Sequence, residues 1–346
     1  MIKTKNEKVK HAKINGKTVF FRRKLALSAA FALLIFFSLD ILLPTSPLKA
    51  GNFDKSSAGT AAGQFLKMVV GARGAAMGEA YSALSNDAYS IYWNPATLIR
   101  IKKESYAFMH SPYLASSSYE YLAYAKSAGQ VGNWGFSLQY LDYGSIKRTE
   151  LSGIENGKFK PYDMALTIGF SCYISGYKKD PEKRFVLGAN GKLVRSKIDN
   201  VDNTVSADIG VLFPEMFSGK FIMALSAHNI MGTLRLDLKD YPLPLIIRLG
   251  SVTRLSKYYV ITTDITAPND NVPYLSMGNE LNVFITKDFL VSLRGGFNTR
   301  AIFDVYGFRN ITFGGGIKYK LYSLDYSFSP YGYLGNAHRI SLGVNF

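Results

Sequence analysis

The last strand of the chain limits its fold more than any other feature. Arg339-Ile340-Ser341-Leu342-Gly343-Val344-Asn345-Phe346 alternates polar and apolar residues without a break and stops on an aromatic. In extended backbone, Ile340, Leu342, Val344 and Phe346 share one face, and Arg339, Ser341, Gly343 and Asn345 the other. A free edge with an apolar face invites aggregation in water. In a membrane barrel the same strand closes the wall and turns its apolar face to lipid. A last strand buried in a soluble sandwich is the competing reading.

The alternation recurs throughout the second two-thirds of the chain. Trp134, Phe136, Leu138 and Tyr140 alternate with Gly135, Ser137, Gln139 and Leu141; Val205, Ala207, Ile209 and Val211 with Thr204, Ser206, Asp208 and Gly210. Phe289, Val291, Leu293 and Phe297 alternate with Ser292, Arg294, Gly296 and Asn298. Period two at this density predicts strands near 104–111, 117–127, 132–142, 162–173, 184–195, 202–213, 219–229, 244–255, 257–266, 274–286, 288–299, 310–319, 320–328 and 337–346. That is an all-β membrane protein, an antiparallel transmembrane barrel of about 14 strands. Each strand is close to the roughly ten residues that cross a bilayer at a tilt. Short connections such as Lys287-Asp288 predict tight hairpins at one end. Longer polar stretches, Lys147 to Lys160 and Gly176 to Lys183, predict loops at the opposite end.

The N-terminus predicts export. Residues 1–24 carry nine Lys or Arg against Glu7, the apolar run Leu25 to Phe37 follows, and Leu48-Lys49-Ala50 suits cleavage before Gly51. An uncleaved anchor over Leu25 to Leu43 competes with this secretory signal peptide, but Asp40, Pro44 and Pro47 weaken it. Residues 1–50 hold ten Lys or Arg and two Asp or Glu, so their removal lowers the net charge from +16 to +8. That takes away the main support for a nucleic-acid partner, and no clustered basic stripe replaces it. A mean hydropathy of +0.02 excludes a multi-span helical bundle. The 31 Gly, 23 Tyr and 23 Phe suit coiled strands, tight turns and membrane interfaces. With Cys172 as the single cysteine, neither an internal disulfide nor a cysteine metal cluster can form.

Between signal and strands, residues 51–100 form a plug segment, with the barrel over 101–346. Small residues dominate Val70-Gly71-Ala72-Arg73-Gly74-Ala75-Ala76-Met77-Gly78-Glu79-Ala80, which lets this backbone lie close to another surface. In Asn94-Pro95-Ala96-Thr97-Leu98, Asn94 suits a helix N-cap and Pro95 the first helical position. The stretch GARGAAMGEAYSALSNDAYSIYWNPATL resembles the N-terminal signature of the PorV/PorQ family, which belongs with the FadL-like outer-membrane barrels. Leu293-Arg294-Gly295-Gly296-Phe297-Asn298 and Tyr333 to Leu342 agree in style, so the resemblance covers roughly residues 60 to 346. It implies a bacterial outer-membrane location, with the plug motif Asn94, Pro95 and Ala96 folded into the barrel interior. Thr97 and Glu79 depart from the family, where Gly is frequent at both positions. The terminal strand is similar to the signal read by the bacterial barrel-assembly machinery, with Ile340, Leu342, Val344 and Phe346 as its apolar side chains.

Candidate chemistry is sparse. No metal-ligand, cofactor or nucleophile motif occurs, which argues against an enzyme. Ser226 and His228 share a strand face, but the sequence identifies neither a third partner nor an oxyanion donor. Pro268-Asn269-Asp270-Asn271 reads as an Asx-rich turn before it reads as a calcium loop. The charged residues are more telling. Asp208, Arg294, Asp325 and Arg339 have the parity opposite to the apolar wall, and lipid burial of any of them is costly, so they are expected in the lumen. There they meet plug residues such as Arg73 and Asp87 or are simply solvated.

Three functions fit. The family resemblance implies a non-enzymatic role in type IX-like secretion, with translocon components and cargo C-terminal domains as partners besides outer-membrane lipid. A FadL-like transporter for hydrophobic small molecules is the alternative, and a purely structural surface protein is the third.

Overall fold

The computed structural model describes residues 53–346 apart from 151, 175–183, 237–238 and 301–308. The signal peptide expected over residues 1–50 lies outside the described residues. The first wall strands are β1 (Glu104–Pro112), β2 (Ser118–Ser127), β3 (Asn133–Asp142), β6 (Tyr162–Tyr173), β7 (Val186–Lys197), β8 (Val201–Leu212) and β9 (Phe221–His228). The remaining ones are β12 (Ile246–Arg254), β13 (Tyr259–Pro268), β14 (Tyr274–Phe284), β15 (Phe289–Asn298), β16 (Ile311–Tyr319), β17 (Tyr322–Pro330) and β18 (Asn336–Asn345). Among the described residues these fourteen strands close into one antiparallel barrel, each beside its neighbour in sequence, with β18 completing the ring against β1. Every expected strand falls within two residues of the observed one. No described helix is long and apolar enough to cross a membrane.

Closure depends on the last strand. Ser105 to His110 pair with Asn345 to Ile340, and Phe346 N donates to Glu104 O at 2.9 Å. Ile340, Leu342 and Phe346 point outward and are exposed, whereas Arg339 and Ser341 are buried in the lumen. The same rule runs round the wall: in β15, Leu293 is 57% exposed while Ser292 and Arg294 are buried. Lipid removes all competition from water for backbone groups, so only a ring with no free edge satisfies them.

The two ends differ. Chain entry at Glu104, exit at Phe346 and the tight turns 255–258, 285–288 and 320–321 lie at one end. The other end carries the longer excursions, including the hairpins β4–β5 (Ile146–Thr149, Glu155–Phe159) and β10–β11 (Thr233–Leu236, Lys239–Pro242). Short turns mark the periplasmic end and long loops the external one. Lys147 to Lys160 is thus external, as expected, but folds into a hairpin. The described strand ends that flank Gly176 to Lys183, Tyr173 of β6 and Val186 of β7, lie at the periplasmic end and not at the external end expected. Strand direction reverses at every crossing, so the parity of the strand count sets the side of a loop, and length does not. Residues 175–183 themselves lie outside the described residues.

This register predicts unequal tolerance along β15. Leu293→Lys should cost on the order of 2–4 kcal/mol, because it places a charge near mid-bilayer. Ser292→Thr, which keeps the hydroxyl that meets Asn282 at 2.6 Å, should cost little. Denaturant unfolding of the barrel in lipid vesicles measures both; equal costs would mean that the two faces are wrongly assigned.

Candidate functional site

The small-residue segment runs down the lumen from the external end. Ala62 N donates to Pro242 O at 2.9 Å. The Lys67 ammonium meets Asp270 at 2.7 Å, and Gln64 shares the same carboxylate oxygen at 2.8 Å. The Asx-rich turn therefore tethers the segment instead of forming an open calcium loop. Lower down lie the short helices α1 (Ala72–Ala76) and α2 (Ser90–Trp93), then a 3-10 turn over Pro95–Arg100. Asn133 receives the end of the segment, donating from Nδ2 to Leu98 O at 2.7 Å and to Ile101 O at 2.8 Å.

Helices this short leave most of their backbone groups without internal partners. Side chains of the wall take them up. Ala72 N donates to Ser341 Oγ at 2.8 Å, Gly78 N to Thr312 Oγ1 at 3.0 Å, Ser82 N to Asp264 Oδ2 at 3.0 Å and Ala88 N to Ser105 Oγ at 2.9 Å. Wall glycines make this approach possible. A Cβ on Gly296 would lie 1.9 Å from Gly78 N, and one on Gly188 would lie 2.2 Å from Ala96 N. Trp93 anchors the interior of the segment: it sits over Gly74, donates from Nε1 to Val70 O at 3.0 Å and lies edge-on to Tyr81 and Tyr92.

At the Asn-Pro-Ala turn, Asn94 has extended backbone and its Oδ1 accepts from Ala96 N at 3.0 Å, with Pro95 in the first helical position. Asn94 Nδ2 donates to Leu225 O at 3.3 Å, tying the turn to β9. The two departures from the family pattern have local partners. Thr97 Oγ1 lies 2.6 Å from Ser85 Oγ and donates to Asn94 O. Glu79 occupies the left-handed region at φ 75°, where a side chain costs about 1–2 kcal/mol. Its carboxylate meets Arg300 at 3.0 Å and the Tyr274 hydroxyl at 3.0 Å, contacts that offset this strain.

The six charged residues expected in the lumen do not form one cluster. Arg73 binds Glu280 through Nε and Nη2 at 2.7 and 2.8 Å, and Arg294 bridges Glu280 and Asp325 at 2.7 and 2.6 Å. Asp87 lines the same cavity; removal from water pushes its carboxyl up to about 6, against the pull of Arg73. Asp208 belongs to a separate group with Lys192 at 2.9 Å, Asn190 at 2.8 Å and His228 at 3.5 Å. Among the described residues, Arg339 hydrogen-bonds to Ser329 and Tyr331, at 3.2 and 3.3 Å. Glu280 and Lys192 complete these networks. Their inward parity is legible in the sequence, but their partners are not, because those come from distant strands or the plug.

Asp208, His228 and Ser226 resemble a catalytic triad, with His228 Nε2 2.9 Å from Ser226 Oγ. All three are buried, the carboxylate is shared with Lys192 and Asn190, and a substrate carbonyl has no approach to the Oγ. Contacts between three neighbouring wall strands hold this arrangement together.

Two cavities flank α1. On the periplasmic side, about 420 Å³ is lined by Arg73, Asp87, Arg100, Glu280, Arg294 and Asp325 among others. On the external side, about 150 Å³ is lined by Val69, Ala75, Pro330, Tyr331 and Leu334, with Glu79 and Arg300 at its polar edge. Arg73 lines one cavity and Ala75 the other, so a single turn of helix stands between them.

A model of the uncharacterised protein family UPF0164 matches residues 45–219. The chain belongs to this family. None of the curated proteins matches significantly. Among solved structures, the Pseudomonas putida toluene transporter TodX aligns with a TM-score of 0.55 at 12% identity, over 80% of this chain and 98% of that one. A Pseudomonas aeruginosa FadL homologue aligns at 0.52 and 11% identity, over 81% and 99%. The CymD monoaromatic hydrocarbon channel aligns at 0.51 and 12%, over 80% and 97%. At such identities the likeness is one of fold, that of the FadL-type barrels. Together with the outward apolar band of a closed antiparallel wall, it places the protein in a bacterial outer membrane.

The close approach at Gly296 yields a direct test. Gly296→Val should lift the Met77–Gly78 turn from the wall at an overpacking cost of about 1–3 kcal/mol. Added protease should then cleave within residues 60–100 of the folded barrel faster than in wild type. Gly191→Val, whose Cβ enters open space, should leave cleavage unchanged.

Proposed function

We propose that this barrel carries small hydrophobic molecules across the outer membrane, with the luminal segment as its gate. One observation carries the reading. An external cavity with an apolar lining stops at α1, and a polar vestibule begins on the other side of the same helix. A cavity near 150 Å³ accommodates a molecule of about the size of benzene. A solute seated there needs only the displacement of one short helix, held by its ion pair to Glu280 and by wall hydroxyls, to reach periplasmic water. The fold shared with a toluene transporter and a monoaromatic hydrocarbon channel supports uptake better than a PorV-like role in secretion, which rests on resemblance in sequence motifs. No residue is assigned a catalytic role.

Toluene is the probe. The purified barrel should bind it saturably, and Val69→Trp, which fills the external cavity, should weaken binding at least tenfold while leaving the fold intact. Equal binding by both proteins would remove the cavity from the mechanism. Failure to bind toluene combined with capture of a cargo C-terminal domain would favour the secretion role.

A further inference from the structure

Charge is distributed unevenly between the two ends of the barrel. At the external end, cations and acids are interspersed and several pair: Lys67 with Asp270, Lys147 with Glu155, and Arg148 with Asp199. At the periplasmic end, exposed lysines follow one another around the wall. Lys103 precedes β1, Lys126 ends β2, Lys220 precedes β9, and Lys257, Lys287 and Lys320 sit in the turns of the hairpins β12–β13, β14–β15 and β16–β17. Of these six, Lys126 alone has a carboxylate within ion-pair distance among the described residues, Glu104 at 2.9 Å. Among the described residues, Glu215 and Asp288 are the other acids of this rim.

The lysines share their level with a belt of outward aromatics. Tyr106, Trp134, Tyr258, Phe284, Tyr319 and Tyr322 are exposed at the periplasmic ends of their strands. Such belts mark the depth of lipid headgroups. The Lys257 ammonium lies 4.7 Å from the centre of the Tyr258 ring, and that of Lys320 lies 5.4 Å from the Tyr319 ring. Long cationic side chains at this height reach the phosphates and leave their stems against apolar surface.

We propose that this rim is a binding collar for anionic phospholipids of the periplasmic leaflet. Lysines spread around the circumference suit a ring of lipids better than a protein, which would engage a patch on one flank. Each lysine near a negatively charged surface favours an anionic over a zwitterionic headgroup by roughly fivefold. The collar binds lipid whether or not the lumen carries a solute, so it is independent of the uptake reading.

The two tryptophans provide the test. Trp134 faces lipid directly opposite Lys126, whereas Trp93 is buried in the lumen and serves as an unquenched reference. The full barrel is reconstituted in phosphatidylcholine vesicles containing a small fraction of either phosphatidylglycerol or phosphatidylcholine with brominated acyl chains. Brominated phosphatidylglycerol should quench Trp134 several-fold more effectively at equal mole fraction. The excess should vanish in the Lys103→Gln/Lys126→Gln variant and in about 1 M salt, where the screening length falls to about 3 Å. Lys287→Gln, several strands away, should retain it. Equal quenching by the two lipids in wild type overturns the proposal and leaves the collar to an acidic periplasmic protein. A preference that persists in the double variant or in high salt overturns it as well, because the lysines would not be its source.

Discussion

The bore of a fourteen-strand wall is the constraint to which the rest of this molecule responds. Eight strands make a barrel that its own inward side chains can fill, and sixteen or more leave an aqueous channel. At fourteen the space is too wide for side chains alone, and here a segment of chain occupies it. Backbone then has to pack against backbone, which explains why Gly78 lies on Gly296 and Ala96 on Gly188. The wall returns hydroxyls and carboxylates to the amides that two short helices leave open, among them Ser341, Thr312, Asp264 and Ser105. Plug and wall are each incomplete in hydrogen bonding without the other.

Charge gives this packing its direction. Glu280 holds Arg73 from the plug and Arg294 from the wall, and Arg294 continues to Asp325. Breaking a buried pair by removing one partner costs about 3–5 kcal/mol, because the other charge is stranded. These groups, however, line the periplasmic vestibule, where water can replace a lost partner. The latch is thus less costly to break than a pair sealed from water. Asp87 lies in the same cavity with its carboxyl raised to about 6 by burial. Its protonation favours the seated plug, a contribution complete below about pH 4 and lost as pH rises through about 6.

The wall was legible in the sequence because its two faces meet different solvents. Leu293 exposed beside a buried Arg294 is the alternation that lipid and lumen impose, and β18 shows it without a break. The external hairpin β4–β5 was not legible: its first strand is exposed on both faces, so no burial imposes a period. The end of the barrel at which Tyr173 and Val186 sit escaped a reading based on loop length. In the lumen, the cap at Asn94 and the inward parity of Arg294 and Asp208 are local properties that a sequence carries. The partnership of Arg73 with Glu280, 207 residues away, is a product of closure and has no local signal. The inward glycines of β7 and β15 were present in the pattern, but they read as freedom to coil when their role is space for the plug.

Protein, not water, fills the bore of this barrel. Single-channel conductance of the purified wild type in planar bilayers tests it most directly, with Ala96→Trp as the overfilled counterpart, since Ala96 is completely buried against Gly188. A filled bore should give no steady open-porin step in wild type and discrete openings in Ala96→Trp as the turn is forced from its seat. A wild-type barrel that conducts steadily like an open porin, matched by the variant, would contradict it.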